Sequence, residues 1–238
     1  MAVLTSFGFA NHVIAEEGSP SDLATASETV AAADPAADSA QTLAVARAQA
    51  AVKEAEASTV VQVATDEVLA LIKRGKGYAK DDPERFYAEV EELLAPFVDF
   101  KRFSRSVMGV WAKRASAEQR AKFAESFKWS LVRTYALALT EFNDGQVRVV
   151  PPKRKSPKPN QATVTMEVLY QGKTYQVVYA MQRRNDEWGL VNLVIEGINL
   201  RLNYRSQFDS AMKGPKFDRD LDKVIDAWSN VIESESKA

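Results

Sequence analysis

The spacing of apolar residues predicts helices in the first part of the chain, strands in the middle and helices again at the end. The longest pattern predicts a helix over residues 116–142, where apolar residues recur at intervals of three and four. Ser116 is a candidate N-cap, and Gln119 follows three residues later, which is the spacing of a capping box. Similar patterns predict helices over residues 60–74, 83–94, 199–212 and 217–232.

Between residues 147 and 194 the apolar positions alternate with polar ones, which is the period of half-buried strands. Gln171-Gly172 and Asn185-Asp186 are turn signals between the last three strands. Consecutive strands with tight turns predict an antiparallel meander. The fold class is therefore α+β, with a twisted antiparallel β-meander packed against several helices. We expect the apolar face of the sheet to lie against the 116–142 helix and the last two helices.

The first 57 residues differ in composition from the rest of the chain. Residues 16–57 contain no aromatic residue and few large aliphatic ones, which predicts a flexible leader with a marginal, solvated helix over residues 40–57. Residues 3–15 are weakly apolar and end in small residues, but no Lys or Arg precedes Arg47. A secretory signal whose basic end lies upstream of Met1 is the favoured interpretation, and the absence of any signal is the other. We assign residues 1–57 to a leader and 58–238 to one domain.

The composition excludes several kinds of chemistry. The 238 residues contain no cysteine, and His12, in the leader, is the only histidine. Thiol catalysis, a Ser-His-Asp triad and Cys- or His-based metal binding are therefore excluded from the predicted domain. We find no phosphate-binding glycine loop. We predict no catalytic residue, no metal and no cofactor, and the net charge of −1 gives no argument for a nucleic-acid partner.

The sharpest charge cluster lies in a proline-rich segment between two predicted strands. Lys153, Arg154 and Lys155 are consecutive, and Lys158 follows. A solvated connector is the favoured interpretation of this loop. The alternative is a docking site for anionic headgroups or for an acidic partner.

Two blocks of sequence, in the same order, resemble the MlaC family, also called the toluene-tolerance family. The second block, over residues 188–208, contains an aromatic strand, the turn Glu196-Gly197-Ile198 and the start of a helix. The first block, over residues 93–142, matches the family pattern at Leu93, Leu94, Pro96, Phe97, Val98, Phe100, Gly109, Trp111, Ser116, Gln119, Arg120, Phe123, Phe127 and Tyr135. The resemblance covers residues 58–232.

The resemblance implies a periplasmic phospholipid carrier of Gram-negative bacteria that is not an enzyme. Such a carrier holds the acyl chains of a glycerophospholipid in an apolar pocket between sheet and helices. It moves lipid between an outer-membrane lipoprotein–porin complex and an inner-membrane ABC transporter complex with a mammalian-cell-entry-type subunit, and so maintains outer-membrane lipid asymmetry. Few polar contacts are needed for such binding, because each buried methylene contributes about 0.8 kcal/mol.

If lipid chains lie between the sheet and the helices, the alternation of apolar and polar residues along each strand predicts which side chains contact them. Val164, Met166 and Val168 should point inward, and Tyr175, Tyr179 and Met181 should continue that surface on the next strand. From the helical side we expect contacts from Phe103, Val107, Tyr135, Leu139, Ile198 and Leu202. Taken one at a time, each position is more typical of an ordinary core.

Two other functions remain open from the residues alone. The first is an enzyme, which would need buried carboxylates such as Asp99 or Glu196 facing the pocket. The second is a periplasmic adaptor with a solid core and no ligand. Lipid in the purified protein separates the carrier from the adaptor, and turnover of that lipid would favour the enzyme.

Overall fold

The computed structural model describes residues 35–53, 56–140, 145–150 and 158–235. The candidate signal segment and the basic cluster at residues 153–155 lie outside the described residues. Within them, the order of elements is α1 (Pro35–Ala51), α2 (Ala57–Gly75), α3 (Pro83–Leu94), α4 (Phe100–Met108), a 3₁₀ helix (Gly109–Lys113), α5 (Ala117–Thr140), β1 (Gln146–Val150), β2 (Gln161–Tyr170), β3 (Lys173–Arg184), β4 (Glu187–Ile195), β5 (Ile198–Asn199), α6 (Leu200–Lys213) and α7 (Leu221–Glu235). The α+β prediction is confirmed.

The predicted helix starts follow from local capping. The backbone N–H of Ser116 donates to Oε1 of Gln119 at 2.9 Å, and the N–H of Gln119 donates to Oγ of Ser116 at 3.1 Å, which is a complete capping box for α5. Asp82 caps α3 by accepting a hydrogen bond from the N–H of Arg85 at 3.2 Å, with Pro83 as the first helical residue. These caps satisfy donors that a helix start would otherwise leave unpaired.

The five described strands form one antiparallel sheet in the order β1-β2-β3-β4-β5, as the meander prediction requires. Two-residue turns join β2 to β3, β3 to β4 and β4 to β5. The turn residues have positive φ, 50° and 73° at Gln171-Gly172, 50° and 62° at Asn185-Asp186, and 49° and 80° at Glu196-Gly197. Turns of this conformation match the natural twist of antiparallel strands, so the turn chemistry sets the register of the sheet.

Helix α1 differs from the solvated helix that composition predicted. Ala44, Ala48, Ala51 and Val52 are buried in the same apolar cluster as α2 and α3. The carbonyl of Val52 also accepts a hydrogen bond from the N–H of Trp188 on β4 at 2.7 Å. Residues 35–53 therefore pack on the domain, because alanines let the backbone of α1 approach its neighbours closely, although each buries little area.

Different helices pack on the strands at the two ends of the strand order. Helix α2 packs on β1 and β2, whereas α4 and α6 pack on β4. The predicted packing of α6 on the sheet is therefore confirmed. Helices α5 and α7, for which the sequence predicts the same packing, lie mainly against other helices. Arg133 of α5, for example, forms a two-pronged ion pair with Glu84 of α3, with N–O distances of 2.6 and 2.7 Å.

Two separate apolar clusters result. The first cluster joins α1, α2 and α3 to Val132 and Ala136 of α5 and to buried positions on the strands. The second cluster joins α4, the first half of α5, α6 and α7, and is rich in aromatic rings. Phe123 lies at its centre, with ring centroids 4.8 Å from Phe208 and 5.4 Å from Trp228. The sheet spans the space between the two clusters.

Candidate functional site

The inner face of the sheet is apolar across its central strands. On β2 and β3 the cross-strand pairs are Ala162–Met181, Val164–Tyr179, Met166–Val177 and Val168–Tyr175. The face continues onto β1 through Val147 and Val149, and onto β4 through Leu193 and Ile195. The structure thus brings all six predicted strand residues onto one face.

These six residues are not packed alike. Val164 and Met181 are buried in the first cluster. Met166 is buried outside both clusters, as is its cross-strand partner Val177. Val168 and Tyr175 are only partly buried, and Tyr179, also partly buried, packs against the first cluster. The middle of the sheet therefore lies between two well-packed regions without being fully packed itself.

Tyr179 shows how deep this middle region is. It stands on the central strand β3, opposite Val164 on one side and Leu193 on the other. Burial raises the pKa of its hydroxyl well above the usual value for tyrosine. The side chain is nevertheless partly uncovered. This stretch of the inner face, formed by Met166, Val168, Tyr175, Val177 and Tyr179, is incompletely covered by the described residues, and we call it the inner hollow.

Helix α5 carries one predicted contact, Tyr135, which links it to α6, the helix that packs on β4. The hydroxyl of Tyr135 lies 3.0 Å from the hydroxyl of Tyr204 on α6. Burial raises the pKa of Tyr135, and its side chain too is partly uncovered. Leu139 lies one helical turn further along α5, but its side chain is outside what the structure describes.

Three predicted contacts lie away from the inner hollow. Phe103 and Val107 of α4 are 2% and 0% exposed and are packed into the second cluster, where the Phe103 ring lies 5.3 Å from that of Phe127. Leu202 of α6 is 51% exposed on the outer surface. Ile198 is 39% exposed, but it pairs with Ile195 and therefore continues the inner face of the sheet onto β5.

Leu202 instead borders a groove on the outer surface that the sequence analysis missed. The groove has a volume of about 360 Å³ and lies between the 3₁₀ helix and α6. Val110, which is 62% exposed, faces Leu202 across it. The remaining lining residues are Met108, Arg205, Ser206, Asp209 and Lys213. Nothing in the sequence distinguishes the apolar residues at positions 110 and 202 from other apolar residues. The groove is recognisable only because the fold brings these two exposed side chains together.

The two carboxylates that an enzyme would have needed have structural partners. Asp99 caps α4 by accepting a hydrogen bond from the N–H of Arg102 at 2.9 Å. Glu196, in the turn between β4 and β5, accepts a hydrogen bond from the backbone N–H of Gln176 at the surface. Neither arrangement places a carboxylate in the inner hollow as a general acid or base.

The described ranges contain neither a cluster of metal ligands nor a helix that could span a membrane. In residues 35–53, 56–140, 145–150 and 158–235, no three His, Asp or Glu side chains are grouped closely enough to hold a metal ion. In the same ranges no helix is both long and apolar enough to cross a membrane.

Comparison with known proteins identifies the family. The model of the MlaC protein family matches residues 62–230, from α2 to α7. The chain belongs to the MlaC family. The match includes the sheet and most of the helices that surround the inner hollow, and it confirms the resemblance seen in the two sequence blocks.

Individual relatives agree with this assignment. The chain is 36% identical over 181 residues to the toluene tolerance protein ttg2D of Pseudomonas putida, which covers 75% of this chain and 82% of that protein. It is 25% identical over 154 residues to the intermembrane phospholipid transport system binding protein MlaC of Haemophilus influenzae, which covers 63% of this chain and 72% of that one.

A solved structure has the same fold. The phospholipid-binding protein of Ralstonia solanacearum, determined in complex with a phospholipid, superposes with a TM-score of 0.68. The superposition covers 77% of this chain and 99% of that one, at 23% sequence identity. At this identity the similarity concerns the arrangement of helices and strands, which is that of an MlaC-family domain.

Proposed function

We propose that this MlaC-family protein carries a glycerophospholipid, with the acyl chains in the inner hollow and the headgroup in water. The observation that carries the proposal is the apolar, incompletely packed centre of the sheet between two well-packed clusters. Acyl chains gain about 0.8 kcal/mol for each methylene that leaves water, whereas burial of an unpaired phosphate would be costly. The balance favours chains inside and headgroup outside.

The names of the relatives support a phospholipid ligand. One relative is named as a binding protein of an intermembrane phospholipid transport system, and the structure with the same fold was solved with a phospholipid bound. Because the present chain shares the family and the fold, we assign it the same class of ligand. The lipid is the substrate of transport, and the proposed mechanism breaks no covalent bond in it.

The proposed contacts come from both sides of the hollow. Met166, Val168, Tyr175 and Tyr179 supply the sheet side, and Val164 and Met181 support its edge from the first cluster. Tyr135 and Leu139 supply the helix side. Phe103 and Val107 hold α4 against α5 and so keep the hollow open indirectly. Ile198, which pairs with Ile195, extends the sheet side at its β5 edge, whereas Leu202 has no place in this arrangement.

For the cellular role we propose lipid transfer across the periplasm. The carrier would exchange lipid with an outer-membrane lipoprotein–porin complex and with an inner-membrane ABC transporter complex that has a mammalian-cell-entry-type subunit. Family membership and the apolar, incompletely packed centre of the sheet support this route. Its consequence would be the maintenance of outer-membrane lipid asymmetry.

A transfer assay tests the proposed function. The delipidated protein is mixed with donor vesicles that contain fluorescent phosphatidylglycerol and with unlabelled acceptor vesicles. We expect the protein to accelerate movement of the label and the recovered lipid to be chemically intact by chromatography. Hydrolysed lipid would indicate the enzyme alternative. No acceleration, combined with no lipid in the purified protein, would indicate the adaptor.

A further inference from the structure

The hydroxyl of Tyr179 has a weak partner for such a deeply placed group. It donates to the sulfur of Met166 at an O–S distance of 3.8 Å. A thioether is a poor acceptor compared with a carbonyl. No other hydrogen-bond partner of this hydroxyl lies among the described residues. Folding removes this hydroxyl from water without giving it a hydrogen bond of equal strength, so it would gain from a better acceptor.

The neighbouring hydroxyl of Thr65 does not supply Tyr179 with a better hydrogen-bond partner. Thr65 of α2 also approaches the sulfur of Met166, at 3.5 Å, but its proton is used in a 2.7 Å hydrogen bond to the carbonyl of Val61. Met166 therefore lies between a hydroxyl with a strong acceptor and a hydroxyl with a weak one. The weakly bonded donor at this point of the inner hollow is the phenol proton of Tyr179, which every tyrosine keeps at neutral pH and whose pKa burial raises further.

The surroundings limit what the hydroxyl can bind. Its neighbours on the sheet, Val164 and Leu193, are apolar. A phosphate would have to shed its water to reach this depth, and among the described residues no cationic side chain forms a hydrogen bond or a cation–π contact with Tyr179. A neutral acceptor attached to an apolar chain carries no charge, so it needs neither a large loss of hydration nor a cationic partner. In a glycerophospholipid the acceptors nearest the chains are the ester carbonyl oxygens.

We propose that the inner hollow contains a polar subsite in which the Tyr179 hydroxyl donates a hydrogen bond to an ester carbonyl oxygen of the lipid. The subsite rests on the proposed carrier function and specifies which part of the ligand the protein recognises. The bond fixes how far the lipid enters, since the carbonyl marks the head of the acyl chain. It also makes the protein selective for ester-linked over ether-linked lipids, which lack the carbonyl.

The experiment removes the two partners of this bond separately and together. Delipidated wild type and the variant Tyr179→Phe are titrated with a diester phosphatidylglycerol and with the diether analogue that has the same chains and headgroup. Affinity is measured by displacement of a fluorescent lipid. We expect the wild type to bind the diester about three- to tenfold more tightly, as the loss of one hydrogen bond predicts. Tyr179→Phe should bind both lipids equally, at the affinity of the wild type for the diether.

Tyr170→Phe is the matched control, because Tyr170 lies at the end of β2, where it pairs with Lys173, and is not among the proposed lipid contacts. It should keep the preference for the diester. The thermal midpoint of delipidated Tyr179→Phe supplies a second readout. We expect no decrease, since the hydroxyl makes only the contact to Met166 in the described structure.

Each other outcome is informative. Equal binding of both lipids by the wild type, or an unchanged preference in Tyr179→Phe, would overturn the subsite while leaving the carrier function intact. A variant that fails to fold, or melts well below the wild type without lipid, would show that the hydroxyl is structural and would also overturn it. Failure of the wild type to bind either lipid would instead contradict the carrier function.

Discussion

The hydroxyl oxygens of Tyr135 and Tyr204 lie 3.0 Å apart, and their hydrogen bond joins α5 to α6. This contact lies at the border of the second cluster, where the Tyr204 ring packs edge-on against Phe127 with centroids 5.3 Å apart. It therefore fixes α5 relative to α6, the helix that packs on β4.

The first prediction concerns this tyrosine pair. Tyr135→Phe and Tyr204→Phe should each lower the unfolding free energy of the delipidated protein by about 0.5–1.5 kcal/mol, because each removes one partner of the bond. The double variant should lose less than the sum of the two, since the bond is removed only once. Urea unfolding measures all three. Strict additivity would show that the two hydroxyls do not interact.

The second prediction compares two valines on one face of β2. Val164 is buried in the first cluster, whereas Val168 is only partly buried beside the inner hollow. Val164→Trp should overpack the core and cost about 1–3 kcal/mol of unfolding free energy. Val168→Trp should leave the stability of the delipidated protein nearly unchanged, because the ring can enter ligand space, and should reduce the lipid that copurifies.

The comparison is read by urea unfolding together with quantification of extracted lipid. The reverse pattern at position 168, a loss of stability with a full lipid load, would show that Val168 belongs to the core. The hollow would then have to lie elsewhere.

The third prediction concerns alkaline pH. Burial raises the folded-state pKa of Tyr179 and of Tyr135 above 10.0, the usual value for tyrosine. The unfolded chain therefore releases these protons first as the pH rises. The contribution of the two phenols to stability is complete below about pH 10 and is lost progressively above it.

Unfolding free energies of wild type and Tyr179→Phe, measured at pH 8 and pH 11, test this sign. The decline between the two values should be smaller in Tyr179→Phe, because one of the groups that titrate has been removed. An equal decline in both proteins would mean that Tyr179 ionises as readily when folded as when unfolded, which contradicts its deep position.

The fourth prediction tests how closely α2 and α3 pack in the first cluster. A Cβ added at Gly75 would lie 2.3 Å from a ring carbon of Phe86, which is fully buried. Gly75→Ala should therefore cost about 1–3 kcal/mol of unfolding free energy. Gly77→Ala is the control, since its Cβ would be 3.8 Å from the carbonyl oxygen of Arg74, and should change stability by less than about 0.5 kcal/mol. Similar costs at both positions would contradict the packing.

Local chemistry made much of this fold predictable from the sequence. The capping box at Ser116 and Gln119 and the two-residue turns at Gln171-Gly172 and Asn185-Asp186 act within a few residues, so the sequence pattern locates them directly. Alternation placed Tyr175 and Tyr179 on one face because a strand has only two faces.

Long-range packing was harder to predict. Helix α1 buries alanines such as Ala48, which composition does not distinguish from a solvated segment. On α6 the buried positions include Leu200, Tyr204 and Phe208, and Leu202 is two residues from the first of these, more than half a turn away. Periodicity identifies an apolar residue, but its side of the helix depends on neighbours that are remote in sequence.

Native mass spectrometry of the purified protein, without prior delipidation, tests the central claim most directly. We predict a species heavier than the bare chain by the mass of a glycerophospholipid, which releases an intact phospholipid ion on activation. Val168→Trp should show less of this species than the wild type at equal stability. A wild-type protein that appears only at the mass of the bare chain, and remains so after incubation with phosphatidylglycerol vesicles, would contradict the account of the inner hollow as a lipid site.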